Sequence, residues 1–277
     1  MDFHYIVASG FERSYKVENL HNQRERITNV PTQETYERII WSADVPHDSR
    51  LRNVLTQIDY PIRVKIDRLY ARRHGDGIFL DLAQKGYQVF NDAKLIEIPS
   101  KLAELAEEEI KRTRPWMLNC MAGSLSNARY AGEDRAQMDG LKQFADICLE
   151  NDVLPCAVTV LTSKAEYVVP DEFNGRTAIE QVLFYAHCLA QFGFTDMVCS
   201  PLEAAAIRRV PELNMLNLNT PGVRMPGDAV GDQARVATPG QAIKDGVTRV
   251  VIGRPITNSD DPAVSVEAIA ADIESAT

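Results

Sequence analysis

From about Glu37 onward, short apolar runs rich in β-branched residues alternate with longer amphipathic stretches, and that alternation constrains the fold more than any other feature. Eight runs read as strands: Arg38–Asp44, Ile62–Ile66, Tyr87–Asp92, Trp116–Cys120, Leu154–Leu161, Met197–Ser200, Met215–Asn219 and Arg249–Ile252. Helices are expected among and after them at Ile78–Lys85, Lys101–Arg112, Met138–Glu150, Ala178–Phe192, Leu202–Arg208, Gln241–Asp245 and Ala263–Ser275. In Lys101–Arg112, Leu102, Leu105, Ala106 and Ile110 recur near helical spacing, while Glu104, Glu107, Glu108 and Lys111 fill the other face. Repeated βα units predict an α/β fold, a (β/α)8 TIM barrel; a doubly wound open sheet has the same local signature and stands as the alternative. The first strand is not followed by a glycine-rich dinucleotide fingerprint, which favours the barrel. A length of 277 residues suits one such domain. The expected division is an N-terminal extension over 1–36, either an arm packed on the barrel or a neighbouring subunit or a poorly ordered tail, and a catalytic barrel over 37–277.

The formal net charge is −9, from 39 acidic and 30 basic residues. This disfavours nucleic acid as a partner, because non-specific binders of the phosphate backbone carry a basic surplus. Any anionic ligand must be held by a few local cations and backbone N–H groups. No stretch approaches the roughly 18 apolar residues of a membrane span, and Met1-Asp2-Phe3-His4-Tyr5 does not read as a signal peptide. The five cysteines are irregularly spaced and read as buried hydrophobes in a reducing, cytoplasmic setting. Neither CxxC nor HExxH occurs, so no metal site is expected.

In a barrel the chemistry lies at the C-terminal ends of the strands, so polar residues closing an apolar strand are the candidates. Asp44 closes strand one and Lys65 lies on strand two. Strand three runs into Asp92-Ala93-Lys94-Leu95-Ile96-Glu97, and strand five ends in Thr162-Ser163. Residues two apart on a strand face the same side, so Asp92 and Lys94 are expected to converge on one bound molecule. Thr220-Pro221-Gly222-Val223-Arg224 with Gly231-Asp232-Gln233, and Gly253-Arg254-Pro255-Ile256-Thr257, follow strands seven and eight. Barrels commonly bind phosphate there, through loop amides and a nearby cation. Gly222 and Gly253 would let the backbone approach the ligand, and Arg254 would add a bidentate charged contact.

These motifs, together with Val158-Thr159-Val160-Leu161-Thr162-Ser163 and Cys199-Ser200-Pro201-Leu202-Glu203, appear in an order that resembles the orotidine 5′-phosphate decarboxylases of pyrimidine biosynthesis. The resemblance covers about residues 38–275. It implies a homodimeric barrel with a shared site, a nucleotide monophosphate substrate, and decarboxylation to uridine 5′-phosphate and CO2 without metal or organic cofactor. Carried over by position, Asp44 would bind the ribose hydroxyls, and Lys65 would be the first lysine of a charged network. Asp92 would lie beside the substrate carboxylate, and Lys94 would protonate C6. Glu97 would be a second acid donated across the dimer. Thr162 and Ser163 would read the pyrimidine, while Pro221, Gly222, Gln233, Gly253 and Arg254 would grip the phosphate. Met225–Val230 would form a flap.

Three positions depart from the family pattern: Glu97 replaces an aspartate, Asp67 a glycine, and Lys101 a threonine that commonly touches the ribose. Asp67 is expected to add negative charge near an anionic ligand. Two other outcomes therefore stand beside a working decarboxylase. One is a paralogue that keeps the phosphate grip with a different reaction or ring specificity, including a metal-dependent relative in which Glu97 and Asp67 are recruited as oxygen ligands for Mg²⁺ in enediolate chemistry. The other is a sensor that binds the nucleotide without turnover.

Overall fold

In the computed structural model, which describes residues 31–124, 139–164, 169–225 and 237–277, eight parallel strands close on themselves in chain order. They are β1 Ile39–Ser42, β2 Arg63–Asp67, β3 Val89–Leu95, β4 Met117–Met121, β5 Leu154–Val158, β6 Asp196–Val198, β7 Asn217–Thr220 and β8 Arg249–Ile252. The pairing of β1 with β8, Ile40 opposite Val251, closes the ring and excludes the open-sheet alternative. Helices follow as α1 Gln33–Glu37, α2 Asp48–Gln57, α3 Arg68–His74, α4 Gly77–Gln84, α5 Pro99–Thr113, α6 Gly140–Glu150, α7 Val169–Glu172, α8 Ala178–Gln191, α9 Pro201–Arg208, α10 Pro239–Lys244, α11 Arg254–Thr257 and α12 Pro262–Glu274. None of those described is long and apolar enough to cross a membrane.

Strands buried on both faces explain the continuous apolar runs: every residue of β1 is buried. Outward-facing side chains such as Trp41, Val64 and Leu118 join the core beneath the helices, while Ile40, Phe90, Met117, Cys156 and Val251 form a separate cluster within the barrel. Below that cluster, two guanidinium groups lie against the Trp116 ring, Arg63 at 4.8 Å and Arg249 at 5.1 Å from its centroid. Arg249 Nη1 donates to the buried Asp196 at 2.7 Å. The barrel is thus filled from a polar floor through an apolar middle to a charged top.

Several connections are set by local chemistry. Capping boxes, Thr177 with Glu180 and Ser200 with Glu203, start α8 and α9. Asp67 caps α3, accepting from Tyr70 N–H at 2.6 Å. Helix α2 is absent from the sequence reading because Asp48–Gln57 is mostly polar and buries only Leu51 and Val54. Residues 31–36 of the expected extension include most of α1, which lies against α12 through Thr35 and Glu274 and stacks Tyr36 on Tyr60 at 4.3 Å. Residues 1–30 lie outside the described residues.

The start of α6 presses directly on the start of α5. A Cβ built on Gly140 would sit 2.7 Å from Pro99 Cα and 3.3 Å from its Cβ. Only glycine allows that approach without moving backbone. Gly140→Ala is therefore expected to destabilise the chain by about 1–3 kcal/mol, measured by urea denaturation. An unchanged midpoint would show that α5 and α6 can separate at no cost.

Candidate active site

At the C-terminal mouth of the barrel a cavity of about 480 Å³ opens, and side chains from β1, β2 and β3 supply its charge. Asp92 on β3 is buried, and its Oδ2 lies 2.6 Å from both Lys65 Nζ and Lys94 Nζ. Lys65 also reaches Asp44 Oδ1 at 3.3 Å, and Ser42 Oγ donates to Asp44 Oδ2 at 2.7 Å. Four strand-end groups therefore form one chain of alternating charge: Asp44, Lys65, Asp92, Lys94.

Desolvation opposes ionisation of Asp92, but the two adjacent ammonium groups outweigh it and hold its pKa well below the ordinary carboxylate range. Burial likewise opposes the charge on Lys65, yet the Asp92 and Asp44 carboxylates raise its pKa above the usual lysine value. Both groups are ionised at neutral pH. A low-dielectric setting strengthens each contact, so the ammonium groups are held without rearrangement of solvent.

Asp92 and Lys94 do converge, but not through simple strand alternation. Between Asn91 and Leu95 the β3–β4 register shifts, and Lys94 takes φ 47°, in the left-handed region. The bulge turns the Lys94 side chain back onto Asp92 while leaving it 43% exposed to the cavity mouth. Alternation gave the right neighbours by the wrong geometry.

Asn119 on β4 was not singled out from the sequence. Fully buried, it donates from Nδ2 to Asp92 Oδ1 at 2.7 Å and accepts the Lys94 backbone N–H on Oδ1, also at 2.7 Å. The available signal was a polar residue inside the otherwise apolar run Met117–Met121. Ser42 was missed in the same way.

The opposite wall is formed by the loops after β7 and β8. Pro221, Gly222, Arg224, Gly253 and Arg254 line it, and Thr162 lies on the β5 side. Gly222 has φ 82°, which a side chain would strain, so glycine is required where this loop turns into the cavity. The β8 loop is anchored from outside: Trp41 Nε1 donates to Thr257 Oγ1 at 3.0 Å, Ser265 Oγ to Pro255 O at 2.7 Å, and Arg50 to Thr257 O. The floor of the cavity is apolar, with Phe90, Val158, Val198 and Val251.

Asp44, Lys65, Asp92, Lys94, Thr162, Pro221, Gly222, Gly253 and Arg254 are thus brought together around one cavity. Ser163 and Glu97 are exposed and do not line it. Gln233 lies outside the described residues, as does 226–230 of the expected flap. The stem of that loop is defined, with Arg224 N–H donating to Ala237 O at 3.0 Å. Asp67 does not line the cavity; its charge is used at the start of α3. Lys101 pairs with Glu104 at 2.5 Å. Among the described residues no group of three or more His, Cys, Asp or Glu is gathered in a way that would hold a metal ion.

A closed eight-stranded barrel with a buried charge array at its strand ends defines an α/β-barrel enzyme. The chain belongs to the orotidine 5′-phosphate decarboxylase / HUMPS family, whose model matches residues 37–269. It is 34% identical over 231 residues to the orotidine 5′-phosphate decarboxylase of Staphylococcus haemolyticus, covering 83% of this chain and 95% of that one. Against the orotidine 5′-phosphate decarboxylase of Parasynechococcus marenigrum the identity is 36% over 237 residues, covering 84% and 92%. The crystal structure of orotidine 5′-phosphate decarboxylase from Lactobacillus acidophilus superposes with a TM-score of 0.69 at 27% identity, covering 85% of this chain and 98% of that one.

The depressed pKa of Asp92 has a sign. Its stabilising contribution is complete above the unfolded value of ~3.9 and is lost as pH falls towards the folded value. Asp92→Asn leaves two lysines without their shared anion and is expected to cost about 3–5 kcal/mol at neutral pH. The gap in denaturation midpoint between the two proteins should narrow as pH falls below about 5. A gap that stays constant with pH would mean that Asp92 is not ionised in the fold.

Proposed function

We propose that this chain is a decarboxylase that converts orotidine 5′-phosphate to uridine 5′-phosphate and CO2, with no metal or organic cofactor in the step. The observation that carries this reading is the alternating Asp44, Lys65, Asp92, Lys94 array facing the Gly222, Gly253 and Arg254 loops across one cavity. Loss of CO2 from C6 leaves an electron pair in the plane of the pyrimidine ring, where the ring π system does not absorb it. An ammonium fixed beside that carbon stabilises the developing charge and then delivers its proton. Lys94 has both the partner and the exposure for these roles. Asp92 holds it, Lys65 holds Asp92, and Asp44 with Lys65 presents hydrogen-bonding groups to the ribose.

Phosphate held by the β7 and β8 loops supplies binding energy remote from C6, which positions the ring and expels water from the site. Thr162, which lines the cavity, is assigned to the pyrimidine edge, with Ser163 next to it reaching that edge only by a shift of the loop after β5, and Gln233 is assigned to the phosphate. A reducing cytoplasm suits the five free cysteines, four of them buried.

Glu97 is assigned to the site of a second copy of the chain. Its own strand carries it away from the local cavity, and it lies between Ile96 and Ile98, 61% and 63% exposed. Such an apolar edge at the barrel mouth favours coverage by another subunit. The Mg²⁺-dependent alternative loses support, because Asp67 serves as a helix cap and is not gathered with Glu97 into a ligand set.

Purified protein with orotidine 5′-phosphate, followed by ultraviolet absorbance, is expected to show turnover that a chelator does not change. Lys94→Ala should lower kcat by at least about 10²-fold, whereas Arg254→Ala should chiefly raise KM. Absence of turnover in the unsubstituted protein would overturn the reading, and chelator sensitivity would favour the metal-dependent alternative. If Glu97 completes a partner's site, mixing Lys94→Ala with Glu97→Gln should restore activity through hybrid dimers. Mixtures no more active than either variant would show that the site is not shared.

A further inference from the structure

The two lysines use only one oxygen of Asp92. Its Oδ1 accepts from Asn119 Nδ2 at 2.7 Å, and the other end of the same amide takes the Lys94 backbone N–H. The orientation of this amide is fixed by chemistry. A backbone N–H can only donate, so the atom facing it must be Oδ1, and Nδ2 is left facing the carboxylate. Asn119 is 0% exposed, so water cannot substitute for either contact.

The Lys94 N–H needs this acceptor because of the bulge. Pairing runs from Asn91 opposite Leu118 to Leu95 opposite Cys120, so β3 advances four residues while β4 advances two. The intervening β3 amides fall outside the regular ladder, and Lys94 is held at φ 47°, a strained conformation for a residue with a side chain. From the outer face, Asn91 is tied to the buried Glu109 at 3.0 Å. Asn119 is the inner tie, and it joins the carboxylate and the lysine backbone through one rigid planar group.

We infer that Asn119 is a positioning residue that sets the Asp92 carboxylate against the Lys94 ammonium, and so governs the chemical step more than the binding of the nucleotide. The inference rests on the decarboxylase reading for its kinetic readout. Without Asn119, Lys94 keeps its charge but loses the backbone anchor that aims it, and Asp92 loses the donor that fixes its plane. Small misplacements at a reacting centre carry large rate costs, here on the order of 10²-fold. The phosphate loops on the opposite wall are untouched.

The test compares Asn119→Ala and Asn119→Asp with the unsubstituted protein in kcat, KM and affinity for uridine 5′-phosphate, with far-ultraviolet circular dichroism to follow folding. Asn119→Ala is expected to lower kcat about 10²-fold while product affinity changes less than about 3-fold. Asn119→Asp is nearly isosteric and retains an acceptor for Lys94 N–H, but it sets a second carboxylate against Asp92. Two such groups share a proton, so the acid limb of its kcat/KM profile should move to higher pH. A kcat within about 3-fold of the unsubstituted value, or an equal loss of product affinity, would overturn the inference. Should Asn119→Ala fail to fold, an unmoved acid limb in Asn119→Asp would overturn it as well. Failure of the unsubstituted protein to turn over orotidine 5′-phosphate would instead count against the decarboxylase reading itself.

Discussion

A carboxylate stripped of water is tolerable only while cations and donors face it, and the top of this barrel is organised around that requirement. Asp92 lies between Lys65 from β2 and the bulged Lys94 of its own strand, with Asn119 from β4 on its remaining oxygen. Three adjacent strands must therefore keep their relative register to within a fraction of a residue. The packing below serves that end: Phe90 and Met117 fill the barrel one step beneath Asp92 and Asn119, and Pro99 is pressed by Gly140 just beyond the bulge. The geometry of the cavity and the stability of the barrel depend here on the same few contacts.

The departures from the family pattern look different once placed. Asp67 would have been a second negative charge at an anion site, but the N-terminus of α3 takes its carboxylate. Lys101 is held by Glu104 on the first turns of α5. Glu97 accepts from the neighbouring Ile98 N–H at 3.2 Å and faces outward with two exposed isoleucines. Its added methylene therefore has its consequence outside the cavity of its own barrel.

Much of this was legible in the sequence because parallel strands buried on both faces leave long apolar runs, and all eight appear within a few residues of where they were expected. Strand-end polarity located Asp44, Lys65, Asp92 and Lys94, and glycines after β7 and β8 located the opposite wall. Several features were not legible. Helix α2 is polar along most of its length and buries only Leu51 and Val54, so it does not stand out as an apolar-faced segment. The β3 bulge depends on a left-handed lysine, which no propensity favours. Asn119 has no motif of its own, and only the register across β3 and β4 gives its amide two partners. Alternation along a strand is a sound guide until a bulge breaks it, and this site is built on one.

The floor of the barrel has a consequence for traffic. Arg63 and Arg249 both lie against the Trp116 ring and Arg249 is fastened to Asp196, so charged side chains help fill the N-terminal end of the barrel. The cavity itself is lined by residues at the C-terminal ends of the strands. In a decarboxylation that divides one molecule into a small neutral gas and a large anion, both fragments must depart past the same rim.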